Sequence, residues 1–334
     1  MHKQEVTIYD VAREAKVSMA TVSRVVNGNN NVRKETRERV EAVIKRLNYQ
    51  PNAVAQGLAS KKTTTVGLIV PDLTNLYFAE LSKGIDDIAL LYKYNIIISS
   101  IENRLMNEDQ VIQNLLNKQV DGIVYMSNRL PDEAAESFRR TNTPVVLAGT
   151  TDNRDDFPSV TIDYMKAGTE AFNLMYNDGK RHLALVCGDG EAVVNKEKRM
   201  VAYRKFLKDK GLNEEHIYTD VYDYSDGYNL LSKLEKDGID GVFITKDGVS
   251  AGVLNAAIDS GKKIPEELEI ITASATQVAA VVRPALTTVK QPLYDMGAVA
   301  MRMLTKLMNN EEVDNIHVQL PYEIVKKQST MNHK

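Results

Sequence analysis

Along residues 7–27, TIYDVAREAKVSMATVSRVVN, apolar side chains return every three to four positions, which predicts two short helices with a tight turn between them. Ile8, Val11, Ala12 and Ala15 fall at i, i+3, i+4 and i+7 and make one apolar face. Thr7, with Asp10 three residues on, fits a capping box, and an acid in the first turn suits the helix dipole. Lys16 and Val17 form the turn, and Ser18 is a good second N-cap. The second helix buries Val22, Val25 and Val26. Its other side carries Ala20, Ser23, Arg24 and Asn27, with Met19 in the first turn. Small and polar groups with one arginine, on a helix held against another, are what a DNA major groove admits. Taken alone, the same pattern also describes an ordinary two-helix packing unit.

After Asn27 the run GNNN reads as a turn, and a third helix is predicted over 34–48 with Val40, Val43, Ile44 and Leu47 as its apolar stripe. That stripe closes a three-helix miniature core. Pro51 ends the helix, because proline has no amide proton for the ladder and biases Gln50 away from helical dihedrals. Residues 52–60, NAVAQGLAS, make two helical turns with Val54, Ala55 and Leu58 on one side. So short a helix is marginal in water and is expected to order only when something packs on it. Residues 61–65 are a polar linker.

From Val66 onward the period changes. Apolar runs at 66–70, 96–99, 122–126 and 145–148, then at 183–186, 217–222, 241–245 and 270–273, predict strands. Helical stretches lie between them near 75–93, 107–118, 132–141, 164–178, 195–210, 226–237 and 248–260. Regular β-α alternation implies parallel sheets covered on both faces. Two such series imply two lobes, with ligands expected between them at the carboxyl ends of the strands. The fold class is thus an all-α three-helix helix-turn-helix head plus hinge helix, joined to an α/β two-lobed core. The divisions fall at 1–50, 51–65 and 66–334.

A chain of 334 residues, 43% hydrophobic and 26% charged, has the composition of a globular protein of two or three domains. No apolar run approaches the roughly 18 residues of a membrane span. The start MHKQEVTIYD lacks the apolar segment of a signal peptide, so a cytoplasmic location and no membrane partner are expected. The net charge of −3 hides an asymmetry: residues 1–62 carry 12 Lys and Arg against 6 Asp and Glu, and the remainder 30 against 39. A basic head on an acidic body suggests that only the head meets a polyanion. The single cysteine, Cys187 in LALVC, excludes an internal disulfide and is expected to be buried. Gly188-Asp189-Gly190 lacks the third glycine of a dinucleotide fingerprint, and no G-x-S-x-G, Walker loop or metal-ligand pair occurs. Neither an enzyme nor a cofactor is expected.

The head sequence VTIYDVAREAKVSMATVSRVVNGN followed by YQPNAVAQGLASKKTTTVG resembles, without gaps, the lac-repressor/galactose-repressor family of bacterial transcription regulators. The resemblance implies a recognition helix beginning near Ser18, with Met19, Ala20 and Arg24 reaching base edges. It implies further DNA contacts from Thr7, Tyr9, Ser18, Thr21, Ser23, Asn27, Asn31 and Tyr49. Residues 52–59 match a hinge helix that pairs with its counterpart from a second subunit in the minor groove. Asn52, Ala55, Gln56, Ala59 and Lys61 are its implied DNA-facing positions, and Leu58 matches a leucine wedged between the central base pairs. Many members read RPNAVAR where this chain has Gln50 and Gln56. Each change loses a cation for phosphate or a narrow minor groove, so weaker, less salt-dependent binding is expected.

For the body, the resemblance implies a periplasmic-binding-protein-like core with crossings near Asp163 and Gln291 and a small effector between the lobes. Asp247 in FITKDGVSAG matches a ligand-binding aspartate, and Arg199 in EKRMVAYRKF an arginine that grips the effector. The family segment resembling IIGFDN is here IITASA, which puts Ser274 at the aspartate position and leaves a degraded sugar site. Arg199 and Asp247 are equally readable as interlobe ion-pair partners.

Residues 89–97, ALLYKYNII, and 291–309, QPLYDMGAVAMRMLTKLMN, resemble the catabolite-control branch of that family in low-GC Gram-positive bacteria. In that branch this face binds the phosphocarrier protein HPr bearing a phosphorylated serine. Tyr294, Asp295, Val299, Arg302 and Lys306 are the implied partner-facing positions on one helix, and Glu80, Asp87 and Tyr92 those on the other. Arg302 and Lys306 are like charges at i, i+4 and favour a nearby anion; by spacing alone they also describe a solvated basic face. A homodimer is expected separately, because one three-helix head offers few contacts and a marginal hinge needs a partner. The expected operator is a pseudo-palindromic double-stranded site, and the expected function is carbon catabolite repression or activation with serine-phosphorylated HPr, or a paralogue, as co-effector. The alternative is a same-family repressor switched by a sugar or sugar phosphate between the lobes. A solute-binding protein of similar core is disfavoured, since it needs export and no basic head.

Overall fold

A computed structural model of the chain describes residues 6–26, 28–29, 31–50, 62–101, 108–127, 130–152, 154 and 156–331. They form two units, Met1–Thr63 and Thr64–Lys334.

In the first unit, α1 (Ile8–Ala15), α2 (Met19–Val26) and α3 (Lys34–Leu47) enclose Val11, Ala12, Ala15, Val22, Val25, Val40 and Val43. The local chemistry is as the pattern demands. The Thr7 amide and hydroxyl both donate to Asp10 Oδ2, at 3.0 and 2.7 Å. These bonds, with Arg13 beyond them, hold the Asp10 carboxyl below its ordinary range. Lys16 ends α1 in the left-handed region, φ 52°, and an Arg46–Glu14 ion pair ties α3 back to α1. The predicted hinge helix, 52–60, lies outside the described residues.

The second unit has two lobes, each a six-stranded sheet. The first orders its strands β11-β5-β4-β3-β1-β2, all parallel. These are β1 (Thr65–Val70), β2 (Asn95–Ser100), β3 (Gly122–Tyr125), β4 (Val145–Ala148), β5 (Ser159–Thr161) and β11 (His317–Gln319). Helices α4 (Leu76–Leu91), α5 (Glu108–Asn117), α6 (Asp132–Thr141) and α12 (Leu293–Met308) cover it. The second lobe orders β12-β10-β9-β8-β6-β7, parallel except for β12. Its strands are β6 (Leu183–Val186), β7 (Ile217–Tyr218), β8 (Gly241–Ile244), β9 (Glu269–Thr272), β10 (Thr287–Lys290) and β12 (Glu323–Val325). Its helices are α7 (Tyr164–Asn177), α8 (Met200–Lys210), α9 (Tyr224–Lys236), α10 (Asp247–Asp259) and the short α11 (Gln277–Val281). A π-helical turn, Val194–Arg199, leads into α8.

The chain crosses between lobes three times, not twice: after β5 near Asp163, after β10 at Gln291, and between β11 and β12 near residues 320–322. The third crossing was hidden because its flanking strands are three residues each and mostly polar or partly exposed. The strand predicted at 217–222 stops at Tyr218, and Asp220 takes a left-handed φ of 60°.

Each lobe carries two helices in backbone contact. A Cβ on Gly84 would lie 2.0 Å from the Tyr294 carbonyl oxygen, and one on Gly297 2.0 Å from that of Leu81. Gly227 and Gly252 do the same for α9 and α10, at 2.2 Å from Val249 O and 2.1 Å from Tyr224 O. Only glycine lets the helices approach so closely, and each pair therefore behaves as one plank. Among the described residues no helix is long and apolar enough to cross a membrane.

Candidate nucleic-acid interface and effector sites

On the head, α2 is fixed by Ser18, whose hydroxyl accepts from the Thr21 amide at 3.3 Å. With Val22 and Val25 buried, the opposite side of α2 presents Met19, Ala20 and Arg24 to solvent, and Thr21 and Ser23 sit half-buried at its margins. Tyr9 on α1 is 66% exposed, and Thr7 and Asn31 are exposed too. Tyr49 differs: its ring packs on the head's core, and burial raises its hydroxyl. Asn27, Asn52, Ala55, Gln56, Leu58, Ala59 and Lys61 lie outside the described residues.

Between the lobes, at the carboxyl ends of the central strands, lies a cavity of about 960 Å³ counted out to its open mouth. Arg199, Asp247 and Ser274 all line it. The π-helical turn places Asn195 and Arg199 side by side, and Arg199 Nη1 donates to Asn195 Oδ1 at 2.8 Å. The guanidinium lies 4.9 Å from the centre of the Tyr164 ring. Asp247, first residue of α10, accepts from the Gly248 amide at 2.9 Å and from the Thr276 hydroxyl. The interlobe ion-pair reading is therefore corrected: Arg199 and Asp247 both belong to the second lobe, and each has other partners.

The floor of the cavity joins the lobes. Tyr77 Oη donates to Gln291 Oε1 at 3.2 Å, Gln291 Nε2 to Ala273 O at 2.6 Å, and Tyr164 Oη to Gly149 O at 2.9 Å. Burial raises the Tyr77 hydroxyl and pushes that of Tyr164 well above its ordinary range. Cys187, buried at the end of β6, has its thiol pushed up to about 11 by burial and so stays protonated. Sequence reasoning missed Tyr77 and Asn195 in the lining of this site, and Tyr164 and Thr276, which hydrogen-bond lining residues Gly149 and Asp247. Only Asn195, four residues before Arg199 on one helical face, carried a signal that spacing alone reveals.

The α4–α12 plank forms the other candidate site. Tyr294, Asp295, Arg302 and Lys306 are exposed along α12 and Val299 is half-buried, a single stripe at i, i+4 and i+7 spacing. Tyr294 Oη donates to Asp87 Oδ2 at 2.9 Å, locking the two helices' outer faces together. Lys83 Nζ approaches Asp87 at 3.8 Å, a contact the sequence reading did not include. Leu90, Leu91 and Tyr92 follow, 75%, 69% and 46% exposed. Glu80 stands apart from this cluster: its carboxyl is raised by burial and by the charge of Asp247, which sets it toward the cleft end of α4.

A helix-turn-helix head joined to a two-lobed α/β core is the architecture of a DNA-binding transcription regulator. The family model for bacterial regulatory proteins of the lacI family matches residues 7–52, and that for periplasmic binding protein-like domains matches residues 172–330. The HTH-type transcriptional regulator pepR1 of Lactobacillus delbrueckii subsp. lactis is 72% identical over 99% of this chain and 100% of its own. Catabolite control protein A of Priestia megaterium is 48% identical over 97% of this chain and 99% of its own. Among solved structures, the lac repressor dimer bound to operator and the anti-inducer ONPF aligns with a TM-score of 0.85 at 25% identity, covering 98% of this chain and 100% of that one. The chain belongs to the lacI family of transcription regulators, close to catabolite control protein A.

Proposed function

We propose that this regulator binds pseudo-palindromic operators as a homodimer and is driven by serine-phosphorylated HPr docking on the α4–α12 plank, mediating carbon catabolite repression or activation. The observation that carries the reading is the exposed Arg302–Lys306 pair. It lies one turn apart on a helix held in backbone contact with its neighbour, and neither residue is in an ion pair among the described residues. A phosphoserine brings roughly −1.5 to −2 charge and three acceptor oxygens, which two such cations can meet. Asp87 and Asp295 nearby favour a partner whose phosphoserine is flanked by basic groups.

On the head, Arg24, Met19 and Ala20 on the open side of α2 are the proposed base-reading residues, with Thr7, Tyr9, Ser18, Thr21, Ser23 and Asn31 as neighbours. The dimer reading is supported by apolar side chains on the second lobe's plank and beside it, where Tyr224, Tyr228, Ile258 and Val281 are exposed. Fluorescence anisotropy with a catabolite-responsive operator tests the proposal, with and without serine-phosphorylated HPr at fixed salt. The expected result is HPr-dependent tightening that Arg302→Ala abolishes. Operator binding with no HPr effect refutes the co-effector while keeping the DNA-binding assignment. A second reading, a sugar or sugar phosphate as effector, is favoured by the cavity holding Arg199, Asn195 and Gln291. Isothermal titration with candidate sugars in the absence of HPr tests it.

A further inference from the structure

On one face, the first lobe's sheet outruns its helices. α5 and α6 cover that face as far as Leu147 on β4, and no side chain of β5 or β11 joins their core. The two strands continue the face with Ser159 beside His317 and Thr161 beside Gln319, in register with Leu147. All four are polar, and Ser159 Oγ meets His317 Nδ1 at 3.1 Å. They form one wall of a cavity of about 1170 Å³, counted out to its open mouth. Thr161 is 3% exposed, and its hydroxyl has no hydrogen-bond partner among the described residues. So deeply buried a hydroxyl is costly unless something meets it.

The opposite wall belongs to the second lobe. Its π-helical turn sends Arg199 to the cleft but the neighbouring Lys198 to this cavity. Lys198 is half-buried and in no ion pair among the described residues. Tyr164 and Met165, in the first turn of α7, line the cavity too and add the positive end of a helix dipole. One acid is present. Asp163 Oδ1 accepts from the Lys166 amide at 2.9 Å as the cap of α7, which leaves Oδ2 to accept from something else.

We propose that this cavity is a binding site for hydrogen phosphate, separate from the cleft, with Lys198 as its cation and Thr161 and the Ser159–His317 pair as neutral donors. Whichever of Ser159 and His317 donates to the other, one O–H or N–H of the pair remains for the ligand. Asp163 decides between oxyanions. Hydrogen phosphate carries a hydroxyl that donates to Oδ2, whereas sulfate only accepts and is repelled. A ligand held by Lys198 on one lobe and Thr161 on the other ties the lobes together beside two of the three crossings, at Asp163 and just after Gln319. Its occupancy therefore biases lobe closure without entering the cleft.

Methyl NMR on the full chain, labelled at Ile, Met and Thr, tests this with inorganic phosphate added at constant ionic strength near neutral pH. Saturable shifts are expected at Thr151, Thr161, Ile162 and Met165, with Thr150 and Thr245 of the cleft unmoved. Lys198→Ala is expected to weaken binding at least about tenfold, Thr161→Val to weaken it severalfold, and Lys198→Arg to retain it. Sulfate is expected to bind about tenfold more weakly than phosphate and to draw level in Asp163→Asn, whose side chain still caps α7. Glycerol phosphate separates the free ion from a phosphate ester: the ester loses its last proton at roughly pH 6 and is expected to bind as weakly as sulfate. Shifts confined to the cleft, none at tens of millimolar phosphate, or an undiminished response in Lys198→Ala overturns the site. Sulfate or the ester matching phosphate on the parent chain overturns the choice of hydrogen phosphate.

Discussion

The backbone contact between α4 and α12 makes Gly84→Ala the sharpest probe of the proposed docking face. The new Cβ would meet Tyr294 O at 2.0 Å, Tyr294 C at 2.9 Å and Ala298 N at 3.0 Å. All three are backbone atoms of a packed helix, so no side-chain rotation relieves the clash and the helices must part by about 1 Å. Overpacking of this kind costs about 1–3 kcal/mol, and replacing a mid-helix glycine by alanine returns up to about 1 kcal/mol. The net expectation is a loss of about 1–2 kcal/mol, which at about 2–4 °C per kcal/mol lowers Tm by about 2–8 °C. Parting the helices also stretches the 2.9 Å bond from Tyr294 to Asp87 and shifts Arg302 relative to α4. HPr-dependent tightening on operator is therefore expected to fall, while binding by the head without HPr is kept. Gly248→Ala is the matched control, since a Cβ there meets nothing within 4 Å and is expected to leave Tm unchanged or slightly raised. Thermal melts and anisotropy on both variants decide it. If Gly84→Ala melts at or above the parent and keeps the HPr response, the plank is not what aligns the face.

Arg24→Ala is expected to weaken operator binding by about 1–3 kcal/mol and to leave binding to scrambled DNA nearly unchanged; equal losses on both sequences would make Arg24 a phosphate contact. Thr276→Val removes the hydroxyl that Asp247, 7% exposed, accepts from; the expected loss is about 1.5–3 kcal/mol in urea denaturation, and a smaller loss would mean that water replaces the hydroxyl. Asp10 has its carboxyl held below 3.8 by the Thr7 bonds, so the stability it lends α1 is present above that pH and is lost as pH falls through the lowered native value. Circular dichroism of the acid transition should accordingly lose this component in Asp10→Asn.

How much of this was legible follows from where the physics is local. The head was readable because capping and periodicity are local: Thr7, Asp10, Ser18 and the valines of α2 and α3 act within a few residues of one another. The central strands were readable because strands buried on both faces are continuous apolar runs, as in VVLA and LALV. β5, β10, β11 and β12 were not, because they are three or four residues long, include polar residues and find their partners far along the chain. Ser159 Oγ meets His317 Nδ1 at 3.1 Å, and Thr287 Oγ1 meets Thr330 Oγ1 at 2.8 Å. These pairs are separated by more than forty residues, and no period announces them. Arg199, Asp247 and Ser274 were found by family pattern and do share one cavity. Tyr77 in its lining, and Tyr164 bonded behind it to Gly149, had only the look of core aromatics.

Those floor residues bear on whether the cleft and the docking face are rival switches or halves of one. Tyr77 lies in the first turn of α4, and Gln291 stands two residues ahead of α12. Their hydrogen bond therefore joins the cleft ends of the same two helices whose outer faces carry Asp87, Tyr294, Arg302 and Lys306. Gln291 also reaches Ala273 in the second lobe, so a change in lobe closure acts on the cleft end of α12 directly. The glycine contacts forbid α4 and α12 from answering separately. A molecule in the cavity that prefers one setting of Tyr77 and Gln291 must then change the affinity of a protein bound to the plank. By linkage, that protein changes the affinity for the molecule by the same factor. The direction of the effect is set by which closure each prefers, whereas its reciprocity follows from linkage whatever the structural route.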